Sequence, residues 1–376
     1  MKIVKSLLCT LVVSHLCCQK QNTNPSDKPG IPANLELVKQ PVITGLSIPW
    51  GMAFLNESEV LIAEKSGDIL LANVTTGTKK NIFKVPGAIL FGQGGLMDIR
   101  LHPDFSKNKL IYFSYSKMAD GQPTTALGRA KYSNEAISDF EEIFVANARS
   151  NSGVHFGSRI AFDGKGHLFL GLGDRGNMQQ AQNTLNHMGC LLRLNEDGSV
   201  PEDNPFVGKP DFLPEIWSYG HRNIQGLDFH PTTGKLWAHE HGPQGGDEIN
   251  IIEPGNNYGW PLATYGEQYG GGTIGPPTYP GTVQPIHHWT PSIAPCGMAF
   301  LKSDKYPGLN GNLFIGSLVG QHLNMTRFLN HTLVSETRLF QGEGRIRNVV
   351  ESPDGYIYFS DETNGILYKL LPVFKE

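Results

Sequence analysis

Arg345 and Arg347 flank Ile346, and in an extended strand that spacing places both guanidinium groups on one face. Two cations on one face are costly to bury without anions, so the pair points either to a ligand bearing carboxylates or to an internal Asp or Glu. Other polar groups stand at the starts of β-rich phrases: Gln93 after Phe91-Gly92, His155 ahead of Phe156-Gly157-Ser158-Arg159, and Arg222-Asn223 after Gly220-His221. His155 is one of 13 histidines, and alone it reads as readily as a satisfied turn residue as a functional one. The Gly-rich stretch His241 to Glu248 contains the bend Gly242-Pro243, whose backbone carbonyls would suit a hard cation such as Ca²⁺ better than a transition metal; a plain structural turn is the alternative. It has no His or Cys pair at zinc spacing. No Gly-x-Gly-x-x-Gly joins a strand to a helix, which argues against a nicotinamide dinucleotide.

The elements that must position these groups follow one repeated grammar, an apolar β-rich phrase, a turn, and a second strand-like phrase. The repeats open at Ile48, Gly95, Gly157, Gln225, Cys296 and Ile346, and their second phrases at Val60, Leu110, His167, Lys235, Asn312 and Tyr356. Asp163-Gly164, Thr233-Gly234 and Asp354-Gly355 supply turn chemistry between them. Blades of four strands need about 40 to 50 residues, and the longer middle repeats leave a surplus for loops. The expected fold is therefore all-β, a six-bladed β-propeller with long top-face loops, in which Pro201 to Pro214 and Tyr265 to Pro285 shape a rim. The inner strand of each blade begins near the channel mouth, so polar groups at these equivalent positions converge on one site.

Composition agrees. The 376 residues include 44 Gly and 25 Pro, a share well above the combined ~12% of average chains, which disfavours a helical bundle. A hydrophobic content of 39% is enough to fill a core. With 31 basic against 35 acidic residues and no basic stripe, nucleic acid is not an expected partner. Residues 1–20 pair Lys2 and Lys5 with a short apolar run, the pattern of a secretory signal; 21–34 reads as a flexible tether and 35–376 as the propeller. Export to the periplasm or medium follows. Cys17 and Cys18 are candidates for a lipid anchor of an outer-membrane lipoprotein, although neither follows the small residues such cleavage prefers. No other run is long and apolar enough to span a membrane. Cys190 and Cys296 read as two buried thiols rather than a disulfide.

The phrases PWGMAFL (49–55), GQGGLMDIRLHPDF (92–105), HFGSRIAFD (155–163), LGDRG (172–176), PEIWSYGHRNIQGLDF (214–229), HEHGPQGGDEINII (239–252), NNYGWP (256–261), WTPSIAP (289–295) and RIRNVVESPDG (345–355) together resemble the soluble quinoprotein glucose/sorbosone dehydrogenase family, most closely its bacterial aldose sugar dehydrogenase branch. The resemblance runs in order over nearly the whole chain after the leader. It implies pyrroloquinoline quinone (PQQ) and Ca²⁺ at the top of the propeller, and oxidation of the anomeric carbon of aldoses to aldonolactones with electrons passed to an external quinone or cytochrome-type acceptor. By motif, His155 matches the base, Asp174 the carboxylate that orients it, and Arg222 the cation beside the reactive quinone carbonyls. Gln93, Asn223, Arg345 and Arg347, with His155 and Arg222, match residues that hold the cofactor; Gln93, Asp174 and Trp289 match the substrate side, Trp289 as a rim aromatic; Gly242 and Pro243 match the carbonyls that hold Ca²⁺. One position departs: Val319 stands where the family usually has a lysine that contacts the cofactor. The rival readings are a non-catalytic carbohydrate- or protein-binding propeller and a propeller lactonase.

Overall fold

The computed structural model describes residues 30–375, so the leader, Cys17 and Cys18 and the tether up to residue 29 lie outside the described residues. The chain forms six four-stranded antiparallel sheets. Blade 1 comprises Pro49–Phe54, Glu59–Glu64, Asp68–Asn73 and Thr78–Lys84; blade 2 Leu96–Leu101, Leu110–Ala119, Gln122–Ser133 and Ala136–Val145; blade 3 Ile160–Phe162, His167–Gly171, Cys190–Asn195 and Ile216–Tyr219. Blade 4 comprises Ile224–Phe229, Leu236–Glu240, Asp247–Ile252 and His287–Trp289; blade 5 Pro295–Phe300, Leu313–Ser317, His322–Leu329 and Thr332–Leu339; blade 6 Ile346–Glu351, Ile357–Asp361 and Ile366–Phe374. The outer strand of blade 6 is Leu35–Ile43, from the other end of the chain, paired from Leu35 opposite Phe374 to Ile43 opposite Leu367. The first strands of neighbouring blades touch around the ring, and that of blade 1 touches that of blade 6. The ring is closed.

Each blade is covered on both faces, which is why its inner strands are largely apolar, whereas outer strands such as Thr78–Lys84 and Ala136–Val145 are polar and mostly exposed or half-buried. Val60, Leu61, Ile62 and Ala63 are all buried, although alternate residues of a strand face opposite ways. Val60 and Ile62 join a cluster with Tyr358 and Leu367 of blade 6, while Leu61 and Ala63 join one with Ile99 and Phe113 of blade 2. Four more clusters fill the remaining boundaries between blades. Cys190 and Cys296 lie in different clusters, buried and free.

Five inner strands break register near their upper ends, at Pro49/Gly51, Leu96/Ile99, Ile224/Gly226, Cys296/Met298 and Ile346/Asn348. A bulge re-aims the extra residue. The residues inside these breaks include Trp50, Met97, Gln225 and Arg347, and all four line one cavity at the channel mouth.

Of the two insertions, the one from Tyr265 reaches that mouth, contributing Gln268, Tyr269 and Ile274 to the site cavities. The stretch from Pro201 to Pro214 does not. It packs on blade 3, where Phe206 stacks on Phe212 with ring centroids 4.0 Å apart and Asn204 Nδ2 donates to the Arg193 carbonyl at 2.9 Å. Its apolar residues are absorbed by the blade 2–blade 3 core, so the rim expected from it is absent. Among the described residues no helix is long and apolar enough to cross a membrane.

Candidate active site

His155 has φ +54°, a left-handed conformation uncommon for a residue with a Cβ, and its surroundings hold it there. Its backbone N–H donates to Gln93 Oε1 at 2.8 Å. Its carbonyl packs so closely on Gly173 that any side chain at 173 would collide with it. The buried Arg175 guanidinium lies 3.4 Å from the centre of the Phe156 ring and donates to the carbonyls of Val154 and Ser152, pinning the approach to the histidine. These contacts, from the loop that leads into blade 2 and from blade 3, hold the strained backbone and set the imidazole at the channel mouth.

There His155 Nδ1 lies 2.6 Å from Asp174 Oδ1. The same oxygen accepts the Gly176 N–H at 2.8 Å, and Asp174 Oδ2 accepts Trp260 Nε1–H at 2.8 Å. Burial alone would raise this carboxyl, but the bond to His155, its charge and that of Arg222 outweigh it and hold the group below the ordinary carboxylate range. An ionised carboxylate only accepts. Nδ1 therefore carries the proton of this hydrogen bond, and the imidazole lines a cavity of about 240 Å³ together with Asp174, Arg222, Pro243, Trp260 and Tyr269.

Arg222 stands across that cavity. Its backbone N–H donates to Glu240 Oε2 at 2.5 Å, Nη1 to the His241 carbonyl at 3.2 Å, and its guanidinium lies 5.4 Å from the Trp260 ring centre. Asn223 Oδ1 accepts from the Gly157 N–H at 3.1 Å, while Nδ2 faces His241 Nδ1 at 3.4 Å. His241 Nε2 is 2.9 Å from the Pro295 carbonyl; burial and the Arg222 charge push this imidazole well below its ordinary pKa, so it stays neutral and donates there.

Beside this cavity lies a larger one of about 610 Å³, whose walls include Trp50, Gln93, Asn223, Lys65, Arg345 and Arg347. The internal acid that the Arg345–Arg347 spacing left open exists: Arg345 Nε is 2.6 Å from Glu362 Oε1, and Arg347 Nη2 is 2.6 Å from Oε2. Burial would raise Glu362, but the two guanidinium groups hold it below the ordinary range. One carboxylate thus faces two arginines and Lys65, leaving the cavity wall cationic.

Gly242 and Pro243 form a tight bend in which a side chain at 242 would meet the backbone of Gly245 and Gly246. Asp247 secures it, accepting the Gly242 N–H on Oδ1 at 2.9 Å while Oδ2 accepts the N–H groups of Ile293 and Ala294, each at 2.8 Å. Among the described residues neither the Gly242 nor the Pro243 carbonyl accepts a hydrogen bond, and no cluster of three or more His, Cys, Asp or Glu side chains is arranged for a metal.

Trp289 does not sit on the rim. Its indole is 4% exposed, fills the blade 4–blade 5 core and donates to Glu336 Oε1 at 3.1 Å. It ends the outer strand of blade 4 opposite Asp247, so strand alternation turns it inward while His288 turns out to stack on Tyr265 at 3.9 Å. The aromatics that flank the site are Trp260 and Tyr269. Trp260 lay within a recognised phrase, yet its pairing with Asp174 carried no sequence signal; neither did the pairing of Glu362 with both arginines.

A closed six-bladed ring carrying a histidine–carboxylate pair beside a cation-lined cavity defines a class, and the chain belongs to it: it is a member of the glucose/sorbosone dehydrogenase family, whose profile matches residues 46–369. It is 40% identical over 336 residues to aldose sugar dehydrogenase YliI of Escherichia coli (strain K12), a match covering 87% of this chain and 91% of that protein. The crystal structure of the soluble E. coli aldose sugar dehydrogenase in its apo form superposes with a TM-score of 0.85 at 38% identity, over 90% of this chain and 100% of that one. The PQQ-bound aldose sugar dehydrogenase of Streptomyces coelicolor superposes with a TM-score of 0.77 at 28% identity, over 92% of this chain and 100% of that one.

Proposed function

We propose that the protein is a PQQ- and Ca²⁺-dependent dehydrogenase that oxidises the anomeric carbon of aldoses to aldonolactones and passes the electrons to an external acceptor. The observation that carries this reading is the His155–Asp174 pair, opening beside a large cavity whose wall holds three cations for one carboxylate. That donor set suits a rigid polycarboxylate, and an arginine fork matches a carboxylate in two places. The bend at Gly242-Pro243 offers two carbonyl oxygens without a partner among the described residues, the hard donors a Ca²⁺ ion takes. When bound, PQQ supplies a two-electron acceptor, an electrophilic quinone that takes up hydride.

The chain's own residues do the rest. His155 Nε2 removes the proton of the anomeric hydroxyl, a task for which a neutral imidazole is suited near pH 7. Asp174 fixes the tautomer and stabilises the imidazolium that results. Arg222 places positive charge where negative charge develops, in a site walled by Trp260 that limits water. Such a constellation has no use in a propeller that only binds.

Purified protein supplied with PQQ and Ca²⁺ should reduce a redox dye in the presence of aldoses. Failure of dye reduction across an aldose panel at saturating cofactor would overturn the proposal.

A further inference from the structure

Among the described residues, one cation on the wall of the larger cavity, that of Lys65, has no carboxylate within ion-pairing distance. Val319, which the family resemblance sets against a lysine, is 63% exposed at the cavity mouth and offers no charge. Lys65 lines the same cavity from blade 1, two blades round the ring from Val319, directly after the second strand of that blade.

The Lys65 backbone has a structural task, since its N–H donates to the Ile48 carbonyl at 3.0 Å and its carbonyl accepts the Leu96 N–H at 3.1 Å. Its side chain is another matter. The ammonium donates to the Gly92 carbonyl at 2.7 Å, a neutral partner, and no carboxylate of the described residues lies within ion-pairing distance of it. Glu362, the acid of this wall, is occupied by Arg345 and Arg347. Burial and the nearby Arg347 charge hold the Lys65 amine below its ordinary pKa. A half-buried ammonium that Glu362 attracts only from beyond ion-pairing distance, while two arginines hold that carboxylate, has lost hydration for a partial return. An anion entering the cavity would supply the rest.

We propose that Lys65 is the cation that grips a cofactor carboxylate in this protein, in place of the lysine that Val319 replaces. The proposal rests on the PQQ reading given above. It accounts for both observations, since the charge that Val319 does not offer comes from another blade and the unpaired ammonium gains a contact partner on binding.

The test is an equilibrium titration of the purified full chain with PQQ in the presence of Ca²⁺, read by absorbance and by quenching of tryptophan fluorescence, without sugar or acceptor. Lys65→Met should weaken Kd tenfold or more, and Lys65→Arg should stay within about threefold of wild type. Val319→Lys added to Lys65→Met should recover most of the loss. The trimethyl ester of PQQ, which has no carboxylates, should bind wild type and Lys65→Met alike. A wild-type Kd for Lys65→Met, or an equal loss for the ester, overturns the proposal while leaving the cofactor reading intact. A wild-type chain that binds no PQQ overturns both. Melting temperatures of the variants within a few degrees of wild type separate lost binding from lost folding, and Lys65→Arg provides the same control should the methionine variant fold poorly.

Discussion

The imidazole of His155 is useful only because three donors converge on Asp174. An Asn at 174 offers one acceptor where His155, Gly176 and Trp260 present three N–H groups, and its amide would turn a donor toward Nδ1. Asp174→Asn should therefore lower kcat by about 10² to 10⁴-fold while PQQ binding, read by absorbance, stays near wild type; unchanged kcat would remove Asp174 from its orienting role. The same carboxyl makes a stability prediction. Its folded-state pKa is depressed, as is that of Glu362. Depressed carboxyls contribute stability that is present above their unfolded pKa values, about 3.9 and 4.3, and lost as pH falls through the lower folded values. The melting temperature should decline below about pH 4, and Asp174→Asn should flatten that decline.

At the scale of the strand, much was legible. The six apolar phrases opening at Ile48, Gly95, Gly157, Gln225, Cys296 and Ile346 correspond to the inner strands, because a strand buried on both faces writes itself as continuous apolar sequence. The conserved grammar of turn and second phrase marks the neighbouring strands for the same reason. Less visible were features set by alternation and by distance along the chain. Trp289 reads as a rim aromatic until its pairing opposite Asp247 turns it inward, and Glu362 meets both arginines because the first two strands of blade 6 pair with Ile346 opposite Asp361. The bulges at Trp50, Gln225 and Arg347 had no sequence mark, since register depends on the partner strand. The pairing of Leu35–Ile43 with Ile366–Phe374 closes the ring, and Leu37 is buried in the blade 5–blade 6 cluster. Leu37→Ala should cost about 2 to 5 kcal/mol by denaturant unfolding; a loss below about 0.5 kcal/mol would mean that this closure contributes little.

Across the whole molecule one side chain ties the ring together. Arg159, buried on blade 3, contacts every other blade: its guanidinium is 4.1 Å from the Trp50 ring centre, Nη1 is 3.5 Å from Asp98 Oδ1, and Nε donates to the Gln225 carbonyl at 2.8 Å. Nη2 approaches Cys296 Sγ at 3.4 Å and donates to the Arg347 carbonyl at 2.9 Å, while Nη1 donates to Asn348 Oδ1 at 3.1 Å. Because it braces Trp50, Gln225 and Arg347, residues in the floor of the cation-lined cavity, Arg159→Met should both destabilise the fold by about 3 to 5 kcal/mol, the cost of removing one partner of a buried ion pair, and weaken PQQ binding; a variant with wild-type stability would refute the hub. The cavities above that floor place a proton acceptor, a stabilising cation and a polycarboxylate-binding wall side by side. The central claim is that these act together on an aldose, and a single-turnover experiment tests it most directly. PQQ- and Ca²⁺-loaded protein is mixed anaerobically with aldose, and the cofactor spectrum is followed alongside lactone formation. The account predicts reduction of the cofactor with one equivalent of aldonolactone in the wild type, and an oxidised spectrum that persists in His155→Ala although the cofactor remains bound. A wild-type spectrum that no aldose alters, or reduction as fast in His155→Ala as in the wild type, would contradict it.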